Sequence, residues 1–242
     1  MKGTYKIAEK IIEISSLHEK VHKYCKDYLC DGVPDITVVT SQEDIDYERV
    51  RSAKTDIAEG RTPLESPDDY LEELAVYRKI AEKMPEYDTF LFHGSAVAVD
   101  GQTYLFTAKS GTGKSTHTRL WRKLLGERAV MVNDDKPLIR VNDGSVTIFG
   151  TPYNGKHRLG TNIALPLKAV CILERSQENY ICRITKSEAY TMLLRQSYRP
   201  SDSSALAKTL LLIDKMADNV ALWRLGCNMD ISAAKLDRKS VV

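Results

Sequence analysis

The feature that most constrains the fold of this chain is the stretch of residues 103–121, TYLFTAKSGTGKSTHTRLW. The apolar segment Tyr104–Phe106 is typical of a buried strand, and the residues from Thr116 onward show a helical pattern. A glycine-rich loop joins the two segments. This order predicts a strand that leads through a tight loop directly into a helix.

The loop matches the phosphate-binding pattern G-x-x-x-x-G-K-[ST], with alanine in place of the first glycine. Gly111 and Gly113 can adopt backbone angles that other residues avoid, so successive N–H groups can turn toward an anion. Lys114 supplies a cation for the β- and γ-phosphates, and the hydroxyl of Ser115 can ligate Mg²⁺. The alternative is a chance glycine turn, which the flanking strand and helix patterns disfavour. The predicted nucleotide-binding residues are Ser110, Gly111, Thr112, Gly113, Lys114, Ser115 and Thr116.

Two consecutive carboxylates, Asp134 and Asp135, follow a short apolar segment that predicts a strand over residues 129–132. A carboxylate at the end of a strand next to a phosphate-binding loop suits Mg²⁺. Two neighbouring aspartates indicate two roles, one as a magnesium ligand and one as a base for an attacking hydroxyl. The alternative is a solvated turn before Pro137, because aspartate is a common turn residue. The phosphate-binding loop upstream favours the functional interpretation.

Two further side chains are candidates for the chemistry. His93 is predicted on the strand antiparallel to the one that feeds the loop; taken alone, it is better interpreted as a packed, hydrogen-bonded histidine than as a catalytic one. Arg158 lies in a loop with Lys156 and His157, from which it could reach a transferring phosphoryl group. Taken alone, this loop is better interpreted as a solvated basic segment.

The remaining chain predicts strands and helices in alternation. Residues 1–87 carry no chemical motif and are predicted to form a small N-terminal α/β appendage, whereas residues 88–242 are predicted to form a nucleotide-binding core. The principal predictions are a strand or strand pair over 4–14, helices over 17–29 and 41–57 and from 66 to about 83, a strand over 88–98, a turn at Asp100-Gly101, a helix over 116–125 and, over 129–132, a strand suited to the interior of a sheet.

Composition and charge narrow the possible partners and location. The net charge of +2 gives no argument for a nucleic-acid partner or a membrane surface. The five cysteines are odd in number and contain no C-x-x-C pair, so neither a disulfide framework nor a zinc site is expected. No apolar run approaches the length of a membrane span, and the N-terminus has no signal-peptide core. These features favour a cytoplasmic protein.

The order of these motifs resembles the catalytic core of HPr kinase/phosphorylase. In that family a histidine-glycine pair, a glycine turn, S-G-x-G-K-S and an aspartate pair follow one another, and the matching positions here are His93-Gly94, Gly101, Ser110–Ser115 and Asp134-Asp135. The sequence SGTGKST is also similar to the kinase loop of phosphoenolpyruvate carboxykinases, and RLGT at 158–161 resembles their R-F-G-[TA] segment. The resemblance covers residues 93–162.

This resemblance implies a mixed-sheet P-loop fold of the phosphoenolpyruvate carboxykinase and HPr kinase type, with ATP, Mg²⁺ and phosphoryl transfer. Carried over by position, Lys114 and Ser115 hold phosphate and metal, Asp135 ligates metal and Asp134 is the base. The resemblance also implies catalytic roles for His93 and Arg158.

The chain departs from both families. It is too short for a carboxykinase, it lacks that family's manganese-binding lysine and histidine, and it has no match to the arginine loop with which HPr kinases engage HPr. Neither oxaloacetate nor HPr is therefore indicated as the acceptor.

Three functions remain open from the sequence. The leading hypothesis is an ATP- and Mg²⁺-dependent kinase acting on a hydroxyl of a small molecule, peptide or protein. An alternative is a nucleotide-binding switch or assembly ATPase of the same fold that hydrolyses ATP slowly or not at all. A third is a binding module that keeps the loop for stability. The aspartate pair favours the kinase, and the intact Lys114 and Ser115 argue against the third function.

Overall fold

The computed structural model describes residues 1–58, 60–155 and 157–241. It has a mixed α/β architecture, and the chain divides into two compact units, Met1–Lys83 and Met84–Val242. From the sequence, the predicted division lies after residue 87. Within the described residues, no helix is both long enough and apolar enough to cross a membrane.

The first unit is built on a small three-stranded sheet, in which β1 pairs with β2 in antiparallel and β2 pairs with β3 in parallel orientation. Its elements are β1 (Lys2–Ile7), β2 (Lys10–Ser15), α1 (Lys20–Tyr24), β3 (Ile36–Val39), α2 (Gln42–Ala58) and α3 (Asp68–Lys83). Helix α3 contributes buried Leu71, Ala75, Val76 and Ile80, whose spacing follows the helical period.

The predicted helix over residues 17–29 is largely wrong. Only α1 is α-helical, and a short 3-10 turn follows at Lys26–Tyr28. The chain leaves the helix at Cys25, and the N–H of Cys30 then donates to the carbonyl of Thr4 at 3.1 Å, which returns the chain to β1. Of the apolar residues in this range, Val21, Cys25 and Tyr28 are buried, whereas Leu17 and Leu29 at its two ends are 51% and 66% exposed.

The second unit is a mixed sheet with helices on both faces. Its elements are β4 (Thr89–Leu91), β5 (Ser95–Val99), β6 (Gln102–Thr107), α4 (Lys114–Leu125), β7 (Ala129–Asn133), β8 (Leu138–Asn142), β9 (Ser145–Phe149), β10 (Ala164–Arg175), β11 (Tyr180–Arg183), α5 (Lys186–Gln196), α6 (Ser203–Asn219), β12 (Ala221–Cys227) and α7 (Ile231–Val241).

Strand β10 is the centre of this sheet. In the described residues the strand order is β4-β8-β9-β10-β6-β5-β7, and β12, with β11 beside it, also pairs with β10. The first residues of β10 pair with β9 in antiparallel orientation, and the later residues pair with β6 and β12 in parallel orientation. One long strand therefore joins two parts of the sheet.

Strand β6 is buried on both faces, which explains its continuous apolar sequence. Leu105 points to the side covered by α5 and α6, whereas Tyr104 and Phe106 pack on the opposite side against Trp121 of α4. The turn that precedes β6 was predicted correctly: Asp100 and Gly101 have φ values of 50° and 79° and close the hairpin between β5 and β6.

Two strand predictions need correction. The strand predicted over 88–98 is two strands, because β4 pairs with β8 whereas β5 pairs with β6 and β7. Strand β7 lies at the end of the strand order rather than in the interior, and its Val130 is 40% exposed. Its apolar sequence reflects burial on both faces: Ala129 and Met131 pack on one side of the sheet and Val132 on the other.

Candidate functional site

The glycine loop connects the end of β6 to the first residue of α4. Gly111 and Gly113 have φ values of 74° and 123°, which residues with a Cβ rarely adopt. A Cβ on Gly111 would meet no atom within 4 Å, so the loop is open above its backbone. Arg175, at the end of β10, donates from Nη2 to the carbonyl of Gly111 at 2.7 Å and supports the loop from one side.

Lys114 begins helix α4 and is only 9% exposed. Its ammonium group donates to the carbonyl of Ala108 at 3.1 Å, so the side chain folds back over the loop. Burial lowers the pKa of Lys114, and the nearby Asp135 and Asp134 carboxylates oppose this shift. A cation is thus held at the positive end of a helix, an arrangement that favours an anionic ligand.

Asn133, the last residue of β7, organises the turn that carries the two aspartates. Its side chain is fully buried, and Oδ1 accepts from the N–H groups of Asp135 and Lys136 at 2.8 and 2.7 Å. Its Nδ2 donates to Oγ1 of Thr151 at 2.9 Å. One amide therefore ties the aspartate turn to the segment that follows β9.

Asp134 is fixed by two other elements. It is 7% exposed, and Oδ1 accepts from Oγ of Ser95 on β5 at 2.6 Å. The Ser95 hydroxyl also lies 2.8 Å from Oγ1 of Thr118 on α4. The carboxylate is thereby held between the sheet and the helix that begins at Lys114.

His93 lies between β4 and β5, and not on a strand as predicted. Its N–H donates to the carbonyl of Gln196 at 2.7 Å, and its Nε2 lies 3.4 Å from Oδ1 of Asp135. Burial is the largest cause that lowers the pKa of His93, and the charge of Lys114 adds to it while Asp135 opposes it. These shifts favour the uncharged imidazole at neutral pH.

The segment after β9 approaches the aspartates. A Cβ on Gly155 would lie 3.3 Å from the carbonyl oxygen and 3.5 Å from Oδ2 of Asp134, a distance that leaves little room for a side chain. Arg158 has a φ of 48°, and its Nη1 lies 3.5 Å from the carbonyl of Pro152. Lys156, predicted beside it, lies outside the described residues.

These groups surround a cavity of about 940 Å³. Among the predicted site residues, the cavity is lined by His93, Gly111, Gly113, Lys114, Ser115, Thr116, Asp134 and Asp135. Ser110, Thr112 and Arg158 do not line it, although both chain neighbours of Arg158, His157 and Leu159, do. The structure thus brings the loop, the aspartate pair and His93 together.

Several groups that build or line this cavity were not predicted from the sequence. Arg119 and Arg122 of α4 line it, and Ser95 and Asn133 position the aspartate turn. The two arginines carried a usable signal, because they recur with Ser115 at helical spacing on one face. The other two act through contacts between distant parts of the chain, which have no local signature.

The opposite side of α4 is anchored by a buried polar network. His117 Nε2 lies 2.8 Å from Oδ2 of Asp237, and Trp121 Nε1 donates to both oxygens of the same carboxylate at 3.0 and 2.9 Å. All three side chains are buried, and burial is the largest cause that raises the pKa of Asp237. Helix α7 thereby fixes the helix that carries Lys114.

Comparison with solved structures and curated proteins adds little to this geometry. The Hpr(Ser) kinase/phosphatase from Coxiella burnetii is similar over 62% of this chain and 95% of that chain, with 9% sequence identity and a TM-score of 0.33. A likeness at this level supports no conclusion about activity. No curated protein matches the chain.

A sequence family model gives a stronger result. The model described as SynChlorMet cassette protein ScmC matches residues 70–207, which is more than half of the chain. The matched range contains the glycine loop, the aspartate turn and the segment with Arg158. The protein therefore belongs to the ScmC family.

Proposed function

We propose that this protein is a Mg²⁺- and ATP-dependent kinase with a P-loop fold, which transfers the γ-phosphoryl group to a hydroxyl of an acceptor. The observation that carries the proposal is the convergence of Lys114, Asp134 and Asp135 on one cavity at the glycine loop. Phosphoryl transfer depends mainly on positioning and on charge stabilisation, and this set of groups supplies both.

The loop residues 110–116 suit the phosphates of a nucleotide. The open backbone at Gly111 and the start of α4 present N–H groups and a positive helix end. Lys114 supplies the cation for the β- and γ-phosphates, and its contact with the carbonyl of Ala108 holds it over the loop. The nucleotide is assigned as ATP by the resemblance of the loop to ATP-dependent kinases.

The residues present also fit a magnesium ion. In the described part of the chain, no group of three or more His, Cys, Asp or Glu side chains is arranged to hold a metal. Mg²⁺ does not require such a cage, because one or two carboxylates together with substrate phosphates and water usually hold it. Asp135 and the exposed Ser115 both line the cavity and are the proposed ligands. Bound there, Mg²⁺ would neutralise charge on the phosphates.

The side chains divide the remaining work. Asp134, held by Ser95, is the proposed base that accepts the proton of the acceptor hydroxyl. His93, uncharged at neutral pH, orients Asp135. Arg158 is proposed to stabilise charge on the transferring group, since its chain neighbours already line the cavity.

Substitution of each aspartate tests this division. With Asp134→Asn, we expect nucleotide affinity to be nearly unchanged and ADP formation to fall on the order of 10²-fold or more, because the base is lost. With Asp135→Asn, the Mg²⁺ dependence of nucleotide binding should weaken, because a metal ligand loses its charge. Calorimetry and ADP release measure both, with Asp143→Asn in the exposed turn after β8 as the control.

The outcomes separate the proposals. If Asp134→Asn changes only binding and Asp135→Asn only rate, the two roles are reversed. If neither changes anything, the pair is a structural turn and the kinase proposal fails. Tight nucleotide binding by the wild type without any ADP formation would instead support the nucleotide-binding switch.

A further inference from the structure

Helix α4 presents a basic face to the cavity beyond the glycine loop. Arg119 and Arg122 both line the cavity, and they follow Ser115 at intervals of four and seven residues on the same face of the helix. At a rise of about 1.5 Å per residue, Arg122 lies roughly 10 Å along the helix from Ser115. The cavity therefore extends well past the position of the loop phosphates.

Neither guanidinium is neutralised by a residue that the structure describes. Among the described residues, the side chains of Arg119 and Arg122 make no hydrogen bond and no ion pair, whereas Arg128, in the short 3-10 turn that follows α4, pairs with Asp100 at 2.6 Å. The carboxylates that share the cavity are already engaged elsewhere. Asp134 accepts from Ser95, and Asp135 lies near His93 and Lys136.

Apart from Asp134 and Asp135, the described residues that line the cavity carry no negative charge. Met131 of β7 also lines the cavity, together with His157 and Leu159 from the segment after β9. Two unpaired arginines in such surroundings favour an anionic ligand, because a guanidinium can hold a carboxylate or phosphate through two hydrogen bonds.

We infer that Arg119 and Arg122 form the acceptor subsite, and that the acceptor is a hydroxyl compound that carries a carboxylate or a phosphate. The inference rests on the proposed kinase function and specifies its acceptor. The reacting hydroxyl lies toward Asp134, and the anionic group lies roughly 10 Å away, near Arg122. A cavity of about 940 Å³ is at the upper end of the range for ligand sites and leaves room for a second ligand beside a nucleotide.

The competing explanation is that the arginines neutralise the nucleotide itself. Arg119 stands one turn from Ser115 and can reach either ligand. Arg122 stands about two turns away, where the uncharged nucleoside rather than the phosphates would have to lie. Arg122 therefore distinguishes the two explanations.

The test is calorimetric and uses the full-length protein saturated with Mg²⁺ and a non-hydrolysable ATP analogue. Inorganic phosphate and glutarate are titrated separately, as probes of phosphate and carboxylate recognition. We expect at least one of them to bind the loaded wild type, and the Arg119→Gln/Arg122→Gln variant to bind it about tenfold more weakly or worse. Lys123→Gln, an exposed change on the same helix, is the matched control and should bind like the wild type.

Each other result overturns the inference. Binding of neither anion, or equal binding by the double variant, shows that the basic face is not an acceptor site. A single Arg122→Gln variant that loses affinity for the analogue, with no second anion bound, assigns the arginines to the nucleotide. If the wild type does not bind the analogue at all, the proposed kinase function fails, and this inference falls with it.

Discussion

At the scale of single residues, Asn133 shows how the site is assembled. Its amide accepts from two N–H groups of the aspartate turn and donates to Thr151, so it connects two segments that lie 18 positions apart in sequence. A fully buried amide with several partners is costly to remove, because each partner then lacks a hydrogen bond. We therefore regard Asn133 as a positioning residue for Asp134 and Asp135.

Replacement of the Asn133 side chain should displace the two aspartates while leaving the nucleotide-binding loop intact. Asn133→Ala should lower the free energy of unfolding by about 2 kcal/mol and reduce ADP formation by about tenfold or more, because the carboxylates lose their fixed position. Nucleotide affinity measured without Mg²⁺ should change little, since Lys114 and the loop are untouched. Denaturant unfolding and turnover are measured together, with Asn142→Ala at the exposed end of β8 as the control. A loss of stability with unchanged turnover would reduce Asn133 to a structural residue.

Site residues could be predicted from the sequence only where a local motif marks them. The glycine loop, the aspartate pair and His93 each carried a motif, and the structure places all three around one cavity. Ser95 and Asn133 carried none. Ser95 meets Asp134 across 39 positions, and Asn133 meets Thr151 across 18, so only the folded sheet brings these partners together.

At the scale of elements, the segment after β9 carries Arg158, which is proposed to stabilise the transferring phosphoryl group. Gly155 packs against Asp134, and His157 and Leu159 line the cavity, while Arg158 between them has a left-handed backbone. This backbone turns the chain sharply beside the aspartates.

For Arg158→Ala we expect ADP formation to fall about tenfold or more with little loss of ATP affinity, because arginine would stabilise charge mainly during transfer. A discontinuous assay measures ADP formation and calorimetry measures ATP affinity. Lys168→Ala, an exposed change on β10, is the control. A structure with bound nucleotide in which Arg158 lies on the far side of the sheet from Lys114 would contradict this role.

The N-terminal unit has its own buried carboxylate. Glu72 of α3 is fully buried and accepts hydrogen bonds from the N–H groups of Leu17 and His18, both at 2.7 Å, and from the hydroxyl of Thr40. Burial alone would raise the pKa of Glu72, but these hydrogen bonds outweigh it and hold the pKa below its ordinary value of about 4.5. The charged form is therefore favoured by folding.

The lowered pKa of Glu72 predicts how the stability of this unit changes at acidic pH. Because the pKa of Glu72 is lower in the folded state, its contribution to stability is complete above about pH 4.5 and is lost as the pH falls through the folded value. Hydrogen exchange at the amides of Leu17 and His18 should accelerate over that acidic window. In Glu72→Gln the pH dependence should flatten, and in Glu65→Gln, an exposed change, it should not. Identical pH profiles in all three proteins would refute the assignment.

Elements were predicted best where their partners are adjacent in sequence. The Asp100-Gly101 turn closes its hairpin through local backbone conformation, and that prediction is confirmed. The strand predicted over 88–98 divides because its two halves pair with different strands. The helix predicted over 17–29 shortens because Cys30 pairs with Thr4. In both cases pairing with residues outside the segment overrode the local hydrophobic pattern.

At the scale of the whole molecule, strand order was the least predictable property. Strand β10 pairs in parallel with β6 and β12 and in antiparallel orientation with β9, and no local feature of its sequence specifies three partners. The same order puts β7 at the end of the sheet, although its sequence suggested an interior strand. This arrangement nevertheless places the end of β7, with its aspartates, beside the loop that follows β6.

The proposed function depends most on the assignment of the glycine loop to nucleotide phosphates, and one measurement tests this assignment directly. A non-hydrolysable ATP analogue with Mg²⁺ is titrated by calorimetry into the wild type, into Lys114→Ala and into Lys123→Ala, with thermal unfolding as a check on folding. We predict that the wild type and Lys123→Ala bind alike, and that Lys114→Ala remains folded but binds at least about tenfold more weakly. Unchanged affinity in folded Lys114→Ala, or no binding by the wild type, would contradict the account.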